Sequence, residues 1–286
     1  IWQEILNDAI DGELKPVYGL EGRWATKIDG PIVEPPSQRD MERYLTPLLG
    51  LYPVRGCPYN CNYCSVIKIS GQQLRSSAIE NTVKSLKRAK SAGIQFIMFV
   101  SDNFNKYPDA PKLLERMLEL GLDMPFLCQC DAQIARQPEF ISLLGQAGCY
   151  EIFIGVESFD KETLRQAKKF HNQPNSYQEI IRLCRKAGIQ SHFSNIIGFP
   201  SDTEASIKEQ SQLIQQLHPS LASFYILTPI PGTEQYDSYM KSGLLVDDNI
   251  DRYDATHLTW QHPAISSKEM SELLFRCYID FYTTLL

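Results

Sequence analysis

A partial (β/α)6 TIM-like barrel, built on an open parallel sheet and followed by a C-terminal helical extension, is the fold that this 286-residue sequence predicts. Three observations predict it. From about residue 50, short β-branched or aromatic runs alternate with amphipathic stretches, the pattern of a parallel β/α fold. Several of the amphipathic stretches end in glycine, at Gly93, Gly121, Gly148 and Gly188, as helix exits do. The alternation repeats six times, too few to close an eight-stranded barrel.

The elements follow in order. An amphipathic pattern of Trp2, Ile5, Leu6 and Ala9 opens the chain. The six strands are expected at Leu51–Arg55, Gln95–Ser101, Phe126–Cys130, Glu151–Val156, Gln190–Ile197 and Leu221–Leu227. Helices are expected between them near Ala78–Ala92, Ala110–Leu120, Pro138–Ala147, Lys161–Lys169 with Tyr177–Ala187, and Thr203–Leu217. Pro229 and Pro231, which cannot donate to a ladder, stop the last strand. Beyond them come a helix near Glu234–Ser242, an aromatic stretch Tyr253–Trp260, and a final helix opened by a capping box of Ser266 and Glu269. The expected division is an N-terminal helix and linker (1–49), the barrel (50–230) and the extension (231–286). Both ends read as cut: Ile1 is not Met, and a stripe of Met270, Leu273, Leu274, Cys277, Phe281 and Leu285 runs to the last residues.

Composition narrows the function. A hydrophobic content of 43% and a charged content of 22% are ordinary for a globular domain. The net charge of -6 speaks against a non-specific grip on a nucleic-acid backbone, which needs clustered Lys and Arg. No apolar stretch reaches the ~20 residues of a membrane helix, and no signal core is present, so a soluble, cytoplasmic protein is expected. Three of the eight cysteines crowd into one short segment, a pattern of metal binding rather than of disulfides.

That segment, Arg55-Gly-Cys57-Pro-Tyr-Asn-Cys61-Asn-Tyr-Cys64, directly follows the first expected strand, at the rim where barrel enzymes put their chemistry. Its spacing lets one loop wrap thiolates around three corners of a 4Fe–4S cubane, leaving the fourth iron open. S-adenosylmethionine can chelate that iron through its amino and carboxylate groups. One electron then breaks a carbon–sulfur bond to give a 5′-deoxyadenosyl radical. The competing reading is a structural zinc knuckle, but a closed zinc site wants four ligands, and neither His nor Cys occurs within thirty residues after Cys64. Cys128 and Cys130 alternate on one strand face and, like Cys149, Cys184 and Cys277, read as small buried hydrophobes.

With Cys57-x3-Cys61-x2-Cys64 and the aromatic Tyr63 before the last cysteine, the sequence resembles the radical S-adenosylmethionine superfamily over nearly its whole length. The resemblance implies cofactor contacts at successive strand ends. Ser101, Asp102 and Asn103 stand where the family usually has a Gly-Gly-Glu element on the methionine amine; this is a departure, though Asp102 and Asn103 can still accept from an ammonium. Glu157 follows the apolar run Ile152-Phe153-Ile154, and a carboxylate there requires either a ligand or a basic partner. Asn195, Ile197 and Gly198 belong to a stretch similar to the one that lies against the adenine, where Gly198 would let the backbone approach. Leu227 marks the end of strand six, a place of backbone contacts to adenine, and Gln129 is a further candidate. Catalytic residues proper remain unassigned.

The tract from Trp2 to Tyr18, and Pro229–Thr233 followed by Tyr253–His257, resemble the catalytic half of radical enzymes that carry an N-terminal cobalamin-binding domain. The resemblance therefore implies that domain as a partner outside this chain. It also implies a flavodoxin- or ferredoxin-type electron donor and a small-molecule or natural-product substrate, with methylation as the reaction. No Asp-x-His-x-x-Gly cobalamin motif occurs in the sequence. The alternatives are a cobalamin-independent enzyme that abstracts hydrogen directly, a tRNA methylthiotransferase-like modifier, for which residues 231–286 lack a basic module, and a non-catalytic iron–sulfur scaffold. Asp254 and His257 fit either the substrate side or a solvated turn.

Overall fold

A computed structural model describes residues 2–16, 18, 37–43 and 46–283. The chain opens with α1 (Trp2–Asp11) and a single turn, α2 (Gln38–Met41), capped reciprocally by Ser37 and Asp40. Strand β1 (Leu48–Leu51) follows. Next come β2 (Val54–Arg55), the turn α3 (Val66–Ile69) and β3 (Arg75–Ser76), of which β2 and β3 form a small antiparallel pair. The regular alternation then runs α4 (Ile79–Ser91), β4 (Phe96–Phe99), α5 (Ala110–Glu119), β5 (Phe126–Asp131), α6 (Pro138–Gln146) and β6 (Cys149–Glu157). It continues with α7 (Lys161–Gln166), α8 (Tyr177–Lys186), β7 (Gln190–Ile197), α9 (Glu204–Leu217) and β8 (Leu221–Ile226). The extension carries α10 (Glu234–Lys241) and α11 (Ser267–Thr283).

The main sheet has six strands in the order β1-β4-β5-β6-β7-β8, every neighbouring pair parallel. Sequential order without a switch-back is the winding of a barrel, and here β1 and β8 are left as its two edges. The expected partial barrel is therefore what forms. Its first strand is displaced from Leu51–Arg55: Pro53 has no N–H to give a ladder, so β1 ends at Leu51, and Val54 and Arg55 pair instead with Ser76 and Arg75. The sheet thus begins at Leu48, ahead of the expected boundary at residue 50.

Two apolar clusters flank the sheet. One packs β1, β4, β5 and β6 against α4, α5, α6 and α8 through residues such as Leu86, Leu113, Leu144 and Ile180. The other seats α11 on α9 and β8 through Met270, Leu273, Cys277 and Phe281, the expected stripe; Leu285 lies outside the described residues. The Ser266–Glu269 capping box forms as expected: Ser266 N–H donates to Glu269 Oε2 at 2.9 Å and Glu269 N–H to Ser266 Oγ at 3.3 Å. Helix α1 buries none of its residues, and Trp2, Leu6 and Ile10 are exposed. No described helix is long and apolar enough to cross a membrane.

Candidate functional site

The cysteine loop leaves the sheet at Gly56, whose φ of +99° is open to glycine, and where a Cβ would collide with the Gln73 carbonyl oxygen. Three contacts pin its start: Cys57 N–H donates to Gly71 O at 3.2 Å, Gly56 N–H to Asp102 Oδ2 at 3.0 Å, and Val54 N–H to Ser101 Oγ at 3.3 Å. Its middle is tied to the far side of the barrel mouth, where Asn62 N–H donates to Ala167 O at 3.2 Å and Gln235 N–H to Asn62 O at 3.0 Å. The loop is thus held by backbone groups on both flanks, which fixes where three thiols point.

Cys57, Cys61 and Cys64 line one cavity of about 190 Å³, together with Tyr63, Asp102, Asn103, Gln129 and Glu157. Five of the residues expected to hold a cofactor are therefore gathered around the three thiols. A larger hollow of about 650 Å³ between the first turns of α5 and α6 contains none of them. Burial, the largest influence on all three thiols, pushes Cys57 and Cys64 up and Cys61 to about 12, so iron binding has to displace protons that the site otherwise retains. Among the described residues, no three Cys, His, Asp or Glu side chains are grouped closely enough for a single metal ion. Three soft donors spread around one cavity suit the corners of a cluster. Cys130 also lines the cavity, with its Sγ 4.0 Å from that of the buried Cys128.

Of the two readings of Glu157, the structure shows the basic partner. Its carboxylate is paired with Lys169, which follows α7 rather than lying on a neighbouring strand, and the two side chains are only 8% and 9% exposed. Glu157 has a φ of +65° and closes a bulge in β6 against β7. Asn172 Nδ2 holds the bulge by donating to the Gly155 and Val156 carbonyls, both at 2.8 Å. Gly155 makes room for the pair: a Cβ there would stand 2.7 Å from Glu157 Oε1 and 2.8 Å from Lys169 Nζ. Burial opposes the charge on Lys169, but Glu157 and the nearby Cys61 and Cys64 outweigh it and hold the ammonium above its ordinary range.

A hub that sequence reasoning missed is Asp131, at the end of β5. Its carboxylate accepts from Asn103 Nδ2 at 2.8 Å, Asn105 Nδ2 at 3.2 Å and Gln133 N–H at 2.7 Å, with Lys106 Nζ at 3.5 Å. Burial pushes against the charge, yet these partners keep the carboxyl below its usual range. Tyr59 and His171, also missed, stack at 3.5 Å and 9° on the rim, where burial and the Lys169 charge lower the imidazole to about 4. No sequence pattern could have paired them, because 112 positions separate the two rings (171 - 59).

The remaining candidates lie outside the cavity lining, each for a visible reason. Ser101, wholly buried, serves β2. Asn195 donates to the Phe193 and Ser223 carbonyls at 3.1 and 3.3 Å, and Ile197 is buried in the α11 cluster. Gly198 has a φ of +80°, and the close approach it permits is taken by Met270, whose Cε would lie 2.8 Å from a Cβ. Leu227 already gives its N–H to Ile197 O at 2.9 Å and accepts from Trp260 Nε1 at 3.0 Å. Asp254 and His257 pair with each other at 3.0 Å in an exposed turn, with Asp254 also accepting from Thr256 N–H.

The sequence model of the Radical SAM superfamily matches residues 51–214. The chain is 28% identical to the bacteriochlorophyllide d C-8(2)-methyltransferase of Chlorobaculum tepidum, across 99% of this chain and 65% of that protein. It is 30% identical to the hopanoid C-2 methylase of Rhodopseudomonas palustris, across 68% and 38%. The chain thus spans less than two thirds of the length of either relative. Among solved structures, it is similar to TsrM from Kitasatospora setae, a radical S-adenosylmethionine methyltransferase with cobalamin and a 4Fe–4S cluster bound, at 18% identity and a TM-score of 0.65 over 79% of this chain and 46% of that one. It is also similar to OxsB, a cobalamin-dependent S-adenosylmethionine radical enzyme with aqua-cobalamin and S-adenosylmethionine bound, at 16% identity and a TM-score of 0.66 over 97% and 49%. At these identities the two structures speak to the fold.

Proposed function

Because the chain belongs to the radical SAM superfamily, we propose that it is the cofactor-cleaving part of a cobalamin-dependent methyltransferase for a small-molecule substrate. The observation that carries the reading is the single cavity shared by Cys57, Cys61, Cys64 and the polar strand ends of β5 and β6. When bound there, a 4Fe–4S cluster supplies the electron that breaks a carbon–sulfur bond of S-adenosylmethionine, and cobalamin supplies a methyl carrier.

The chain's own residues have separable tasks in this reading. Cys57, Cys61 and Cys64 hold three irons, and the loop contacts through Gly56 and Asn62 keep the thiolates aimed before the metal arrives. Lys169 places a fixed positive charge against Glu157 and the thiolates, offsetting the negative charge that three deprotonated cysteines bring into a buried site. Tyr63, Asp102, Asn103, Gln129 and Glu157 form the polar side of the chamber on which S-adenosylmethionine is held. Tyr59 and His171, stacked at the mouth, exclude water. The reducing electron comes from an external flavodoxin- or ferredoxin-type protein in the cytoplasm, and cobalamin from a further domain of the complete protein.

The similarity to methyltransferases in sequence, and to two cobalamin-bound enzymes in fold, supports this reading over direct hydrogen abstraction. The test is a titration of the complete gene product with hydroxocobalamin, followed in the visible spectrum, alongside anaerobic turnover with S-adenosylmethionine and reductant. Saturable binding with S-adenosylhomocysteine among the products is expected. No binding, with abundant 5′-deoxyadenosine, would leave a cobalamin-independent radical enzyme.

A further inference from the structure

The face of the sheet that carries the cysteine cavity carries a second polar constellation. Phe153, Gly155 and Glu157 of β6 line the cavity, so strand alternation puts Glu151 on the same face. Phe153 lies in register with His192 of β7, and His192 with Leu221 of β8, which brings Ser223, two residues on, to that face as well. Glu151 Oε1 stands 2.8 Å from His192 Nδ1, and Ser223 Oγ stands 2.7 Å from His192 Nε2. The Glu151 and His192 side chains are 16% and 17% exposed, shielded but not sealed from solvent. Phe153 links them to the cavity: it lines the cavity and packs edge-on against the imidazole at 4.9 Å.

A carboxylate at Nδ1 fixes the proton on that nitrogen, leaving Nε2 as acceptor for the Ser223 hydroxyl. The Tyr278 hydroxyl also interacts with the Ser223 side chain, so a ligand's donor would take the lone pair that this contact leaves. Hydroxyl, base and orienting carboxylate within hydrogen-bond reach make up an activated hydroxyl. Acyl transfer would also need an oxyanion hole of converging backbone N–H groups, such as a strand-to-helix turn provides. Ser223 instead lies within the β7–β8 ladder, opposite Ser194, so the chain is suited to taking a proton.

We propose that Glu151, His192 and Ser223 form a proton-accepting relay that binds the substrate through a hydroxyl or a protonated amine. The proposal rests on the reading of the chain as a radical enzyme whose cofactor cavity lies on this face. The ligand's O–H or N–H proton passes to Ser223 Oγ as the Ser223 proton passes to His192 Nε2. The ligand is left as an alkoxide or a neutral amine and the imidazolium is held by Glu151; no electron is exchanged.

The test uses the full chain with its cluster reconstituted, and phenylmethanesulfonyl fluoride as the probe. Ser223 Oγ attacks the sulfonyl sulfur, fluoride leaves, and the hydroxyl proton goes to His192. Mass mapping should find the adduct on Ser223. Labelling should slow about a hundredfold in His192→Gln, the scale of general-base assistance, and should be suppressed by ethanolamine but not by acetate. Glu151→Gln, which keeps a hydrogen-bonding group beside Nδ1, gives the same comparison by a slower labelling rate if His192→Gln does not fold. No adduct on Ser223, or equal rates in wild type and variants, overturns the relay. Equal protection by acetate overturns the ligand class. S-adenosylmethionine cleavage by the same wild-type preparation is scored separately, so that its failure with labelling intact removes the proposed function and not the relay.

Discussion

The Tyr278 hydroxyl makes two hydrogen bonds to one residue, accepting from Phe224 N–H at 3.1 Å and donating to Phe224 O at 3.0 Å. One helical turn later, Tyr282 does the same for Ala222, at 3.3 and 2.9 Å. Ala222 and Phe224 are the alternate residues of β8 that face away from β7, so α11 closes the free edge of an open barrel with side chains where a further strand would use its backbone.

This edge gives a first prediction. Tyr278→Phe removes one hydroxyl and leaves a buried N–H and a carbonyl without partners, which should cost about 1–3 kcal/mol in a denaturant titration with unchanged slope. Tyr278→Phe combined with Tyr282→Phe should cost more and should also produce oligomers, visible by light scattering, as the edge becomes available for strand addition. Variants as stable as wild type would show that water serves the edge equally well.

The next prediction concerns the metal. Anaerobic reconstitution should give about four irons per chain, and the variant with Ala at Cys57, Cys61 and Cys64 should bind none. Replacing Cys128 and Cys130 with Ser should leave the iron content intact, although Cys130 shares the cavity. The reverse pattern in an iron assay would mean that the strand cysteines, not the loop, hold the cluster.

Glu157→Gln separates binding from architecture. Removing one charge from a buried pair strands Lys169, which predicts a loss of about 3–5 kcal/mol, with part recovered when Lys169→Met is added. If the carboxylate also holds S-adenosylmethionine, the affinity of the folded variant falls by a further 1–3 kcal/mol or so, the scale of one charge-assisted hydrogen bond. Thermal melts and cofactor titrations read the two effects independently. An unchanged melting temperature would remove the pair from the structural account.

How much of this was legible in the sequence depended on the range of the signal. The glycine-marked helix ends and the Ser266–Glu269 cap are local, and they formed where the residues placed them, whereas α7, with no glycine to mark its end, stops at Gln166, short of the expected Lys169. The cysteine spacing is local too, and it gathers around one cavity. The first strand slipped because apolar character continues through Val54 while Pro53 ends the ladder. Lys169, Asp131 and the tyrosines of α11 carry no such signal: each acts across chain distances of 12 to 60 positions on a group that only folding brings near. Gly198 reads as a place where the backbone lets a neighbour approach, and the neighbour that the structure sets there is Met270, which no local signal names.

The last prediction is a pH dependence at Asp202, a residue 3% exposed whose Oδ2 accepts from the Gly198 and Phe199 N–H groups, both at 2.9 Å. Those donors favour the carboxylate, but burial outweighs them and pushes the carboxyl up to about 6 from an ordinary value of 3.8. A folded-state value above the unfolded one means that the group's contribution is fully present below pH 3.8 and is lost as pH rises through about 6. The total is about 3 kcal/mol for a shift of this size. Asp202→Asn keeps an oxygen for both N–H groups and cannot ionise. Its stability curve should therefore meet that of wild type near pH 4 and rise above it between pH 4 and 7, reaching a constant gap by pH 8. Titrating groups that do not interact with Asp202 contribute equally to both curves and cancel in the difference, whereas the Asp160 charge, which adds to the rise at Asp202, is part of the effect measured. Curves that stay parallel from pH 4 to 8 would show that Asp202 keeps its charge in the folded chain and that the two backbone donors, not burial, set its state.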